Sequence, residues 1–245
     1  MSITRKAILI GSPSVTPKLP GVTVDVNDIK RFLLSNQGGA WKSSEIVTLI
    51  DQSPELVKSH VALANNIDYV FITCSGHGEH RVGQSLDETV MYLTDKDTIS
   101  INNINPRNKR HLVIVDVCRN LVVIKKELKE ALSHEAMATL DSARSMIDYR
   151  RVFDDAVMAS SEGRIVAYSC DINQSAGDDG TGGVFTQALL KVPRKFVPTG
   201  NSLYGIVNIS QAFEKAKAET YIKNAPQSPV FNAGRRREFF PFAIV

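Results

Sequence analysis

The chain has 245 residues, with 29 Lys and Arg against 26 Asp and Glu, and 43% of it is apolar. A chain of this size buries roughly 70–75% of its unfolded surface, and its near-average composition excludes wholesale disorder. A net charge of +3 is too mild for a dedicated nucleic-acid binder, and no apolar run approaches the ~18 residues of a membrane span.

The apolar run between Met1 and Pro13 is too short for the core of a signal peptide. Three cysteines argue against a disulfide framework. A reducing, cytoplasmic setting is therefore expected. Ala7–Gly11 reads as a buried first strand, followed by a Pro- and Gly-rich loop from Pro13 to Gly21. Asp25–Ser35 carries Val26, Ile29, Phe32 and Leu33 at helical spacing. Glu45–Ile50 reads as a strand, and Ser53-Pro54 opens a helix that runs to about Asn65. Tyr69–Cys74 is a third strand, and Thr89–Leu93 a short alternating segment suited to an edge hairpin. His111–Val117 and Arg164–Cys170 are further strands. Gly183–Lys191 and Leu203–Lys217 look helical, and Phe239–Val245 suits a terminal strand.

Helices alternate with strands that are continuous apolar runs. That pattern predicts an α/β fold whose mostly parallel sheet is covered on both faces. No linker divides the chain, so residues 1–245 are expected to form a single domain. Residues 121–161 are the exception. They span about 40 residues where a crossover normally needs about a dozen. Lys125, Lys126, Lys129, Arg144, Arg150 and Arg151 are scattered through them. The segment reads either as a surface helix with a loop or as a regulatory insert.

Ligands of parallel sheets bind beyond the carboxyl ends of the strands. One strand end continues Ser75-Gly76-His77-Gly78, and another continues Asp116-Val117-Cys118-Arg119-Asn120. Neighbouring strands lie about 4.8 Å apart, so His77 and Cys118 can converge. A free thiol is only a few per cent ionised at neutral pH, and an imidazole can take its proton. Backbone N–H groups of Gly78 and Cys118 would form an oxyanion hole, worth about 3–4 kcal/mol per donor. The alternative for Cys118 is an inert core thiol.

These motifs resemble the two active-site motifs of caspase-family cysteine proteases. His77 lies about 40 residues upstream of Cys118, against the ~50 of the caspase signature. Lys6–Gly11 resembles the first strand of metacaspases and bacterial caspase homologues, and Leu19–Asp25 resembles their entry to the first helix. Tyr168–Ser175, Gly182–Thr186 and the end from Pro229 through Phe242 resemble later segments of the family. The resemblance implies a caspase-like three-layer α/β/α sandwich and a cysteine endopeptidase. It departs from true caspases where they carry a Gln two residues before the nucleophile and an Arg near the first helix. Here Asp116 stands at the first position, and Leu19 precedes Gly21.

Asp25 and Asp116 instead match the acidic first-subsite positions of metacaspases. The resemblance thus implies a protein substrate with Arg or Lys at the cleavage site, since paired carboxylates favour such cations. Ser75 and Asp171 are further candidates for that subsite. The alternatives are a capping role for Asp116, a helix-start carboxylate for Asp25, and a solvated loop acid for Asp171.

By the same resemblance, the basic residues of the insert are candidates for self-cleavage. Short bacterial homologues look like defence or cell-death effectors, some beside gasdermin-like substrates, so such a partner or an activator is expected. A catalytically silent, partner-binding caspase-like module is the rival. A flavodoxin-like domain fits poorly, because Gly11-Ser12-Pro13 makes a poor phosphate loop. Cys74, His77 and His80 lack a second pair at zinc-ligand spacing. Some metacaspases need calcium, but Asp87, Glu88, Asp95, Asp97, Asp178 and Asp179 are too scattered for a recognisable calcium loop. No metal or other cofactor is expected, with calcium the one candidate.

Overall fold

An apolar strand without polar alternation can be satisfied only when both faces of its sheet are covered. That constraint organises the computed structural model, which describes residues 3–123, 148–200 and 202–245. In chain order the elements are β1 (Arg5–Gly11), α1 (Gly21–Leu34), β2 (Ile46–Ile50), α2 (Pro54–Leu63), β3 (Tyr69–Gly76), β4 (Gly78–Gly83), β5 (Leu86–Tyr92) and β6 (Thr98–Ser100). They continue with β7 (Arg110–Val117), β8 (Leu121–Val123), α3 (Tyr149–Ala159), β9 (Gly163–Tyr168), α4 (Val184–Lys191), β10 (Ile206–Asn208), α5 (Ile209–Lys223), β11 (Val230–Asn232) and β12 (Pro241–Ile244).

The main sheet has the order β11-β9-β7-β3-β1-β2. Its strands are parallel except β11, which runs antiparallel to β9. The strand period of two sends alternate side chains to opposite faces. Ala7, Leu9, Phe71, Leu112 and Ile114 pack with residues of α1, α3, α4 and α5. Ile8, Ile10, Val70, Ile72 and Val113 pack with Val57 and Val61 of α2 and with Met91 and Ile99 of a second sheet. That sheet has the order β6-β5-β4-β8. The result is an α/β sandwich, as expected.

Two elements differ from the sequence reading. Helix α1 begins at Gly21 rather than Asp25, because Pro20 already holds helical dihedrals at φ −66 and ψ −22. Asp25 therefore sits in the second turn and is buried, not at the helix start. Leu203–Asn208 is not helical. Asn208 caps α5 through Gln211 N–H, and Ile206–Asn208 pairs with β12. The terminal strand expected over Phe239–Val245 is β12, which pairs with β10 in a two-stranded sheet.

The insert is part structure at both ends. Leu121 and Val122 pair with β4, and α3 buries Phe153 and Val157 in the core. The self-cleavage candidates Lys125, Lys126, Lys129 and Arg144 lie outside the described residues. Arg150 is engaged with Glu45, donating from Nη1 to Oε2 at 2.9 Å and from Nη2 to Oε1.

Helix α4 is anchored by Phe185, which is fully buried and meets Phe213 of α5 edge-on at 5.6 Å. Phe185→Ala removes that anchor and leaves a cavity. A loss of about 3–5 kcal/mol is expected, measured as a fall in the urea midpoint with an unchanged slope.

Candidate active site

Strands β3 and β7 are adjacent, with Ser75 opposite Asp116 and Gly76 opposite Val117. Their next residues, His77 and Cys118, leave the sheet side by side at its carboxyl edge. Both line an open cleft of about 240 Å³ with Leu19, Asp25, Ser75, Asp116, Ala176, Asp178 and Gly183.

The two motif residues have backbone partners. His77 Nε2 lies 2.5 Å from the Pro17 carbonyl. A carbonyl can only accept, so Nε2 carries a proton, and Nδ1 is the nitrogen that can act as base in the neutral ring. Cys118 Sγ donates to the Ala176 carbonyl at 3.7 Å. Burial pushes the Cys118 thiol up, and the Asp116 charge adds to that. The resting side chain is thus a neutral thiol that needs a base when it reacts. Cys74 and Cys170 are buried, and burial pushes each up to about 12.

Gly78 opens β4 against β5. His80, two residues on, donates its N–H to the Asn120 carbonyl at 3.0 Å. Alternate residues of a strand point their N–H groups to the same edge, so Gly78 N–H faces the Cys118 segment. A Cβ at Gly78 would lie 2.6 Å from Val117 Cγ2, so only glycine allows this approach.

At the floor of the cleft are two carboxylates. Asp25 is 1% and Asp116 6% exposed. Asp25 accepts from Gly183 N–H at 3.0 Å, Gln187 Nε2 at 3.1 Å and Ser75 Oγ at 3.0 Å. Asp116 Oδ2 accepts from Thr186 N–H at 3.0 Å and Thr186 Oγ1 at 2.6 Å. Helix α4 has no side-chain cap of its own, since Gly183 precedes it. Asp116 therefore supplies an acceptor for the first-turn N–H of Thr186, and Asp25 one for the N–H of Gly183 just before the helix. A Cβ at Gly183 would collide with the Asp116 carboxylate. Burial raises both acids, for Asp25 well above the ordinary range, and the Asp116 charge adds to Asp25. Among the described residues no Lys or Arg pairs with either.

Asp171 is not brought to this pair. It is exposed, and its carboxylate accepts from the adjacent Ile172 N–H at 2.7 Å. The sequence reading missed Asp178, set aside as one of several scattered acids. It lines the cleft against Gly21, whose Cβ would collide with its carboxylate. It also missed Thr186 and Gln187 as donors, although Gly182-Gly183 before a helix was a usable signal. Of the zinc candidates, Cys74 is in the core, and His80 contacts Thr89 Oγ1 at 3.1 Å and Asp87 Oδ1 at 2.8 Å. Among the described residues no group of three His, Cys, Asp or Glu is placed to hold a metal ion.

A protein-family description of the caspase domain matches residues 4–240. The chain belongs to the caspase family. Its family is one of cysteine proteases that act on protein substrates. The crystal structure of caspase-1 from Spodoptera frugiperda is similar, with a TM-score of 0.59 at 14% identity. That match covers 96% of this chain and 90% of that one. At this identity the likeness shows the caspase fold. No curated protein matches the chain. Among the described residues, no helix is long and apolar enough to cross a membrane.

The raised carboxyl of Asp25 gives this caspase-family chain a signed pH dependence. The folded state holds its proton to higher pH than the unfolded chain does. Stability from this group is therefore greatest at low pH and falls as pH rises through the window between the two values. Asp25→Asn removes the ionisation. The variant should unfold at a higher urea midpoint than wild type at pH 7, with the difference vanishing toward pH 3.

Proposed function

We propose that the protein is a cysteine endopeptidase that cleaves after Arg or Lys, with Cys118 as nucleophile and His77 as base. The observation that carries this reading is the pair of buried carboxylates, Asp25 and Asp116, lining the same cleft as the thiol and the imidazole. A guanidinium or ammonium group entering the cleft would meet both, with Asp178 at the rim. Ionised carboxylates and a desolvated cation gain from one another what each alone loses by burial.

In this reading the substrate side chain fixes the scissile carbonyl over Sγ. The Sγ–H proton passes to His77 Nδ1 as sulfur bonds to the carbonyl carbon. The Pro17 carbonyl, accepting from Nε2–H, steadies the imidazolium so formed. The negative oxygen is met by Gly78 N–H and by the N–H of Cys118. The imidazolium then gives its proton to the leaving amine, and water hydrolyses the thioester. Ser75 holds Asp25 in place by its hydroxyl bond. The domain is residues 1–245. Its three cysteines are free, which suits a reducing, cytoplasmic compartment. A gasdermin-like protein cut after a basic residue is the kind of partner this cleft would serve in a defence or cell-death role.

A positional library of fluorogenic peptides tests the reading, run with and without calcium. Cleavage after Arg and Lys is expected, with none in Cys118→Ala. Asp25→Asn should lower kcat/KM for arginyl peptides by about 30- to 3000-fold, the range for truncating one partner of a buried charge pair. Cleavage after Asp would overturn the pocket and keep the protease. Because protons compete with the cation for the raised carboxylates, KM for an arginyl peptide should climb as pH falls, beginning above the ordinary carboxylate range. Steady-state kinetics from pH 5 to 8 would show this.

A further inference from the structure

The imidazole of His77 is oriented by a carbonyl on a loop, and loops are mobile unless they are tied down. The loop after β1 is anchored by buried Val15, but Thr16 beyond it is exposed, and Pro17 must present its oxygen at 2.5 Å from Nε2. What ties the adjacent residue is a surface acid from a different sheet. Asp95 Oδ1 accepts from Thr16 N–H at 2.6 Å, and Asp95 Oδ2 accepts from Thr16 Oγ1 at 3.3 Å. Both bonds fall on the residue immediately before Pro17.

Asp95 is itself presented by a rigid turn. Thr94 Oγ1 accepts from the N–H groups of Lys96 and Asp97 and donates to Asp97 Oδ2 at 2.8 Å. Leu93 N–H closes the turn on the Asp97 carbonyl at 2.9 Å. The same stretch of chain also holds the base. Tyr92 N–H donates to the His77 carbonyl at 3.0 Å. One short segment, Tyr92–Asp97, therefore grips the backbone of the imidazole-bearing residue at one end. Three residues later it grips the loop that carries the imidazole's acceptor. The distance between donor and acceptor is set within a single element.

We propose that Asp95 is a positioning residue for His77, acting through Thr16 and the Pro17 carbonyl. This rests on the reading of His77 as the base. Asp95 is exposed and touches none of the cleft-lining side chains through a bond of its own, so its effect is on geometry. A misplacement of about 1 Å in a reacting group costs up to ~100-fold in rate. Thr16 needs from residue 95 only an acceptor for its N–H and a polar partner for its hydroxyl, which can donate or accept. Asparagine can supply them, since its Oδ1 accepts from Thr16 N–H and its amide can donate to Thr16 Oγ1.

The test uses the full chain in four forms: wild type, Asp95→Ala, Asp95→Asn and Asp95→Glu. Asp95→Ala should lower kcat for an arginyl peptide about 10- to 100-fold with KM within about threefold, and Asp95→Asn should stay within about threefold of wild type. Nitrogen-15 NMR of ring-labelled histidines supplies a readout that needs no turnover. The Nε2–H resonance of His77, assigned by its loss in His77→Ala, should be protected from solvent exchange in wild type and Asp95→Asn. It should be broadened away in Asp95→Ala. If wild type cleaves no peptide, the endopeptidase reading fails and the NMR comparison still decides the clamp. If Asp95→Ala does not fold, Asp95→Glu replaces it, because its extra methylene displaces the carboxylate and should lower kcat below that of Asp95→Asn. An unchanged resonance and kcat in Asp95→Ala would overturn the proposal. So would an Asp95→Asn variant as impaired as Asp95→Ala, since charge rather than hydrogen bonding would then be at work.

Discussion

The N-terminus of α4 is where this molecule is tied together. Its entry has no side-chain cap of its own because glycine precedes the helix. Asp25 reaches the Gly183 N–H from α1, and Asp116 reaches the Thr186 N–H from β7. Two carboxylates that repel each other are held together by donors and by the positive end of the helix dipole. That single arrangement fixes α1, α4 and the central strands relative to one another. It also places two carboxyl groups beneath the cleft. The capping role and the recognition role offered as alternatives for Asp116 are compatible, because a carboxylate has more acceptor sites than one cap uses.

The reactive groups depend on a different constraint, the register of two parallel strands. With Ser75 opposite Asp116, each motif delivers an acid-binding or acidic residue two positions before its reactive one. The side-chain period of two then sends Ser75 and His77 to one face, with Asp116 and Cys118 beside them. The proposed chemistry and recognition would thus draw on the same two strand ends. A neutral thiol at rest suits this design. Burial holds Cys118 protonated, and a substrate seated in the acidic floor would bring the carbonyl that the thiol attacks.

Strength in the floor and looseness at the rim are complementary. The acids, Ser75 and Thr186 are buried, so their geometry is set by packing. Pro17 and Ala176, which meet the imidazole and the thiol, belong to loops. Their carbonyls are backbone atoms, present at every position of the chain. Loops can present such atoms only where other elements hold them, as the segment around Asp95 holds Thr16.

Local pattern and motif spacing determined much of this protein. The runs Ala7–Gly11, Tyr69–Cys74 and His111–Val117 could only be strands covered on both faces, and Ser53-Pro54 could only open a helix. The convergence of His77 and Cys118 was legible because each follows an apolar run that reads as a strand of one sheet. Tertiary structure alone decided the rest. Asp171 and Asp178 are alike in sequence, yet only Asp178 lines the cleft, because the fold of the loop after β9 sets which acid faces inward. Asp25 looked like a helix start until Pro20 began the helix a turn earlier. Strand β12 pairs with β10 and not with the main sheet, a choice made by long-range pairing that no local window contains. The partners of the imidazole, the thiol and the two carboxylates are backbone groups or distant side chains. A backbone N–H or carbonyl is chemically the same at nearly every residue, so its role comes only from where the fold puts it.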